Sequence, residues 1–293
     1  MPASATRFPE GVPCWTDAML PDIEAGKRFY GELFGWTFGT PAPQPHRYTL
    51  AFLDGRPVAG LFAKPDGRLP TAWNLHLATD DAAAAVARVR AAAGQVLMEP
   101  MDVDGLAVNA MAADPGGAVF GLWQAVEFDG FGARGEPGAY VWSELCTHEK
   151  EAVDAFYADV FGYAMREPDA AGAEGARRPG DAEESEAAEQ ASAGPDFMAW
   201  AAAGDPVDRE HAIGGRRVID GSWPAEMPAH FLACFAVADC DSAVHTTVRL
   251  GGRVRSGPQD TPYGRRAVLI DNQGAGFAVL RTPGMSPDPA GTA

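Results

Sequence analysis

Three side chains stand out among the types that move protons: Asp17, His76 and Glu144. Each lies in a short apolar run that reads as a β-strand: Cys14–Leu20, Trp73–Ala78 and Tyr140–Thr147. Alternate residues of a strand share a face, which groups Trp15, Asp17 and Met19, then Asn74, His76 and Ala78, then Trp142, Glu144 and Cys146. A histidine held by a carboxylate is the pair that general acid–base chemistry uses. An indole beside it offers a wall for a planar organic ligand. The structural alternative for each is plain: Trp fills space, a strand carboxylate caps a neighbour, and a lone His is satisfied locally. Cys14, Cys146, Cys234 and Cys240 have no partner His at a recognisable spacing, so no nucleophile is assigned. Gly214-Gly215 reads as a turn without a phosphate-loop context. One Arg of Tyr263-Gly264-Arg265-Arg266 could grip an anion, but a solvated turn is the better reading.

The elements that carry these residues come in duplicate. Phe29-Tyr30-Gly31-Glu32-Leu33-Phe34-Gly35-Trp36 returns as Phe156-Tyr157-Ala158-Asp159-Val160-Phe161-Gly162-Tyr163, 127 residues later (156 − 29). Gly26, Phe29, Tyr30, Leu33 and Phe34 share one helical face, as do Val153, Phe156, Tyr157, Val160 and Phe161. Gly35 and Gly162 suit left-handed helix stops. Strands Trp36–Gly39, Tyr48–Leu53 and Val58–Ala63 follow the first helix and complete a β-α-β-β-β unit. A second unit opens at Trp73, with Asp80 as the N-cap of an Ala-rich helix and the turn Asp114-Pro115-Gly116-Gly117 before its last strand. A third unit opens at Tyr140 and a fourth at Phe231. The turn Asp271-Asn272-Gln273-Gly274 echoes the one at 114 at an offset of 157 (271 − 114). The second half therefore carries about 30 extra residues (157 − 127).

Domain bounds follow: a loose arm over residues 1–11, a first domain over 12–125, a linker over 126–138, a second domain over 139–282 and a tail over 283–293. The extra residues fall at 168–196, an acidic, Ala- and Glu-rich segment with almost no large apolar side chain. Such a segment is expected to be mobile and dispensable for stability. At 293 residues the chain can form two domains, each with its own core. A net charge of −17 argues against nucleic acid and anionic membranes as partners. The sparse cysteines point to a reduced cytoplasm, and neither a signal peptide nor a membrane span is evident.

Four β-α-β-β-β units in tandem, with the Phe-Tyr…Phe-Gly-aromatic helix end and the Asp-Pro-Gly-Gly turn, resemble the vicinal oxygen chelate superfamily. That superfamily includes glyoxalase I, the extradiol dioxygenases and the bleomycin-resistance proteins. The nearest subgroup is that of tandem, glyoxalase-like actinobacterial proteins. The resemblance implies an α+β fold of two tandem domains whose mixed, curled sheets form cups. It also implies a metal held by ligands on the first strand of each unit and a Glu on the last. Here the first-strand positions fall on Trp15, Asn74, Trp142 and Ala233, and two last-strand positions fall on Gly121 and Ala278. These side chains, Asn74 apart, have no donor to offer, so no metal and no other cofactor is expected.

With the metal gone, the cup faces suggest a metal-independent binder of a small, aromatic or hydrophobic molecule, serving sequestration, resistance or natural-product chemistry. Trp15, Asn74 and Trp142 are the candidate ligand-binding residues. The alternative is a metal-free isomerase, lyase or cyclase in which His76 works with Asp17 or Glu144, depending on which units share a cup; a metal-dependent glyoxalase or dioxygenase is the third and least favoured reading. Ala233, Phe235 and Val237 are expected to line the other cup as an apolar wall. Because duplication supplies four units in one chain, the expected state is a cytoplasmic monomer with an internal pseudo-dimer.

Overall fold

Both copies of the aromatic helix end where glycine follows: Gly35 closes the first at φ 74° and Gly162 closes the third at φ 71°. This is the left-handed backbone that a residue with a Cβ resists. The computed structural model describes residues 8–40, 48–167, 196–220 and 226–283. The first residues of the expected arm, the acidic insertion over 168–195 and the tail from 284 lie outside the described residues. Residues 8–11 are docked rather than loose. Phe8 is buried, and Glu10 accepts hydrogen bonds from Thr79 at 3.0 Å and from Arg88.

The first half runs β1 (Pro13–Leu20), α1 (Ile23–Phe34), β2 (Thr37–Phe38), β3 (Thr49–Leu53), β4 (Arg56–Ala63), β5 (Ala72–Ala78), α2 (Ala82–Ala91), β6 (Gln95–Val103), β7 (Ala107–Ala113) and β8 (Val119–Ala125). The second runs β9 (Tyr140–Thr147), α3 (Lys150–Phe161), β10 (Ala164–Arg166), β11 (Phe197–Ala201), β12 (Ala212–Val218), β13 (His230–Ala236), α4 (Cys240–Arg249), β14 (Arg253–Thr261), β15 (Gly264–Ile270) and β16 (Gly276–Arg281). Each half forms one curled eight-stranded sheet, in the orders β2-β3-β4-β1-β5-β8-β7-β6 and β10-β11-β12-β9-β13-β16-β15-β14. The first strands of paired units meet antiparallel at the centre, β1 with β5 and β9 with β13. Units one and two therefore share a cup, and units three and four share the other.

One expected cap is displaced by a residue, with a consequence for the fourth unit. The N-cap of α2 is Asp81, whose side chain accepts from Ala84 N–H, not Asp80. The N-cap of α4 is Asp239. Aligning these two caps makes Leu232, not Ala233, the equivalent of Asn74, and Cys234 the equivalent of His76. The register agrees: Asp17 faces Asn74 and Trp15 faces His76, while Glu144 faces Leu232 and Trp142 faces Cys234. A one-residue shift in a strand reverses its faces. Ala233, Phe235 and Val237 consequently do not line a cup but pack in a core with Phe34 and Trp36 of the first half.

The cores are likewise shared between the halves rather than separate. The aromatic face of α1 meets Phe235 and Phe277 of the second sheet, and α3 sets Phe156, Tyr157 and Phe161 around Phe120 of the first. Each such ring, fully buried, contributes about 1.5–3 kcal/mol. The two repeated motifs also bond across the duplication. Tyr30 donates to Asp271 at 2.8 Å, and Tyr157 donates to Asp114 at 3.3 Å. A third cluster, including Cys146, Leu232, Cys234, Val268 and Leu280, belongs to the second sheet alone.

Candidate functional site

In the first cup the register of β1 and β5 gathers the sequence-predicted residues into one network. Asp17 Oδ1 accepts from Asn74 Nδ2 at 2.9 Å, and its Oδ2 accepts from Tyr48 hydroxyl at 3.1 Å. His76 Nε2 lies 3.0 Å from the same Oδ2. Trp15 Nε1 donates to the Tyr48 oxygen at 2.7 Å. The partner of His76 is thus Asp17; Glu144 belongs to the other cup. Burial, and then the nearby Asp17, raise the Tyr48 hydroxyl well above its ordinary range, so it stays protonated and donates. With Asp17 as the acceptor, Nε2 is the donor of this contact, and in the neutral imidazole that tautomer leaves the lone pair on Nδ1. That Nδ1 is buried and has no hydrogen-bond partner among the described residues.

Two glycines make room for this arrangement. A Cβ on Gly60 would fall 2.0 Å from the Tyr48 hydroxyl, and a Cβ on Gly121 would fall 2.0 Å from His76 Nδ1. Trp123 sets its ring edge-on to His76 at 5.6 Å. Linker residues close one side: Phe128 and Phe131 lie 4.9 and 5.5 Å from the Trp15 ring. Trp15 is fully buried, whereas Asn74 and Trp142 retain exposure. Trp15 therefore serves as wall and donor and has no free face for a ligand.

The second cup has the same backbone plan and different chemistry. Glu144 Oε2 accepts from Arg217 Nε at 3.3 Å and Arg266 Nη2 at 3.0 Å. The wall is not wholly apolar, as the sequence suggested, because two guanidiniums reach into it. Burial pushes the thiols of Cys146 and Cys234 up to about 12, which removes them as nucleophiles near neutral pH.

The metal of the resembled superfamily does not fit these residues. His76 Nε2 is taken by Asp17, and both Asp17 oxygens are already bonded. The last-strand carboxylate position is Gly121, where any side chain would collide with the imidazole. In the second cup the matching residues are Leu232, Cys234 and Ala278. Among the described residues no group of three or more His, Cys, Asp or Glu side chains converges.

Sequence reasoning missed Tyr48, Arg217 and Asn109, and it left Arg266 as a turn residue. Asn109 pairs with Trp123 across β7 and β8 and has a buried Oδ1 without a partner among the described residues. Arg216-Arg217 in an otherwise apolar strand was a legible signal. Alternation puts one of the two in the cup, and the other, Arg216, binds Asp154 of α3 at 2.7 Å.

Residues 16–123 match a glyoxalase-like domain. An anthracycline biosynthesis protein, DnrV of Streptomyces peucetius, is 36% identical over 303 residues, covering 98% of this chain and 99% of that protein. The chain belongs to the vicinal oxygen chelate superfamily. Among solved structures of this superfamily, the 2,3-dioxygenase LapB of Pseudomonas sp. KL28 aligns with TM-score 0.62 over 96% of each chain at 13% identity. A Mn(II)-bound glyoxalase of Novosphingobium aromaticivorans aligns with TM-score 0.57 over 96% of this chain and 89% of that one at 14% identity. At such identities the likeness is one of fold.

Proposed function

We propose that this glyoxalase-like protein binds a small aromatic or hydrophobic organic molecule in its first cup without a metal, for sequestration, resistance or natural-product chemistry. The observation that carries the reading is the buried, unpartnered Nδ1 of His76, held in place by Asp17. A buried acceptor without a donor costs about 1–3 kcal/mol, which a hydroxyl or amide of a ligand would recover. Trp123 stands edge-on to the same ring as an aromatic wall, and Asn74, bonded to Asp17 and partly exposed, supplies a polar group beside it. The relative named for anthracycline biosynthesis agrees with an aromatic natural product as the ligand class. Titrating the protein with a panel of anthraquinones should quench tryptophan fluorescence, and His76→Ala should weaken the strongest response. No quenching by any compound would count heavily against the reading.

The Asp17–His76 pair also favours a second reading, in which Nδ1 takes a proton from a bound substrate, as in an isomerase, lyase or cyclase. Turnover of any substrate should then vanish in His76→Ala and survive in His211→Ala, the latter being an exposed histidine. Survival in both would leave binding as the function. Either way the chain is read as a cytoplasmic monomer that needs neither nucleic acid nor membrane. Sedimentation showing an obligate dimer at micromolar concentration would contradict this.

A further inference from the structure

The second cup concentrates positive charge in a protein whose net charge is −17. Arg217 comes from β12 and Arg266 from β15, two strands that are not neighbours, and both converge on Glu144. At the matching places in the first cup stand Phe62 and Asn109, both neutral, so each arginine is particular to this half. One carboxylate between two guanidiniums leaves a surplus of one positive charge. Each guanidinium has five N–H groups, and each gives one of them to Glu144. The arginine side chains remain 27% and 21% exposed, against 8% for Glu144, so their free donors are reachable from the cup. Around them lie Trp142, half-buried, and the buried side chains of Leu232 and Cys234. Arg255 of β14 adds to the positive field felt at Cys146.

We propose that the second cup is an anion site that takes a planar organic carboxylate, with Arg217 and Arg266 gripping the carboxylate and Trp142 covering the ring. A guanidinium fork matches a carboxylate in plane, and an arginine pair selects for that group more sharply than a point charge would. Glu144 holds the two arginines in position and moderates their charge. This site does not depend on the reading of the first cup, because none of its residues touches His76 or Asp17.

The test is isothermal titration of the full chain at neutral pH with naphthoate and with naphthalenemethanol, its uncharged counterpart. Naphthoate should bind at least tenfold more tightly than the alcohol. Arg217→Met combined with Arg266→Met should remove that preference, while Arg68→Met, at an exposed arginine paired with Asp66, should leave it intact. Glu144→Gln should tighten naphthoate several-fold, since the competing charge is gone but the hydrogen-bonding shape remains. That last variant keeps the proposal testable if the double arginine variant fails to fold by circular dichroism. Equal affinity for the two probes, no naphthoate binding at millimolar concentration, weaker binding in Glu144→Gln, or a preference that survives the double arginine variant would each overturn the site.

Discussion

Asp17 and Glu144 hold the same place in the two halves, yet they are satisfied in opposite ways. Asp17 is met by a phenol, an amide and an imidazole, while Glu144 is met by two guanidiniums. Even the ring above the central glycine differs: Tyr48 over Gly60 brings a hydroxyl, and Phe197 over Gly215 brings none. The backbone of the cup thus fixes where a carboxylate sits, and a few neighbouring strand positions decide whether its surroundings are neutral or cationic. Duplication has produced two unlike cups on one plan.

The largest expected effect separates the two carboxylates by stability. Asp17→Ala leaves His76, Asn74 and Tyr48 without their acceptor in a buried site and should cost about 3–5 kcal/mol. Glu144→Ala should cost about 1–2 kcal/mol, because its partially exposed arginines can turn to water. Urea unfolding of both variants decides the matter, and equal losses would erase the distinction between the cups.

A pH response is expected where the turn Asp114 of the first half meets α3 of the second. Burial raises Asp114 to about 6 from the ordinary 3.8, against the pull of backbone N–H groups and Tyr157. Between those two values the folded chain holds a proton that the unfolded chain has released. Stability from this group therefore falls as pH rises from about 4 to about 6, by at most about 3 kcal/mol. Asp114→Asn should flatten that slope relative to the parent in chemical unfolding at pH 4, 5, 6 and 7. An unchanged slope would show that the turn is better solvated than its burial suggests.

A smaller change converts one cup toward the other. Tyr48→Phe strips the shared hydroxyl from Trp15 and Asp17 and should cost about 1–2 kcal/mol, whereas Phe197→Tyr should stay within about 0.5 kcal/mol. Thermal melts of the two variants make the comparison. The smallest expected effect is that of chelator. Dialysis against EDTA should leave the thermal midpoint and any ligand binding unchanged in both cups. One equivalent of a transition metal retained through that dialysis would overturn the reading.

Much of the scaffold was legible because it rests on local signals. The repeated Phe-Tyr…Phe-Gly runs gave both aromatic helices and both glycine stops. Residues 15, 17, 74 and 76 fell on one face because alternation along a strand is a property of the backbone. The fourth unit was misread for the same reason. Choosing Asp80 over Asp81 moved its strand by one residue, and one residue is enough to turn a strand over. Tyr48 and Arg217 escaped notice because their roles depend on which strands lie side by side. Nothing near Tyr48 in the sequence announces Gly60 beneath it or Asp17 beyond it. Phe128 reads as a linker residue until the linker is seen to cross Trp15.

The rings of α1 rest against Phe277, a residue near the far end of the chain. During synthesis the sides of Phe29, Tyr30 and Phe34 that face Phe277 therefore stay uncovered until almost the whole polypeptide has been made. The third helix waits far less, because Phe120 precedes it. The expected order of folding follows: the α3 seam, which also takes in Trp200 and Phe231, completes before the α1 seam, which waits for Phe277. Nascent chains arrested before residue 277 should be readily cut by protease near α1, and completion of β16 is the event that protects it.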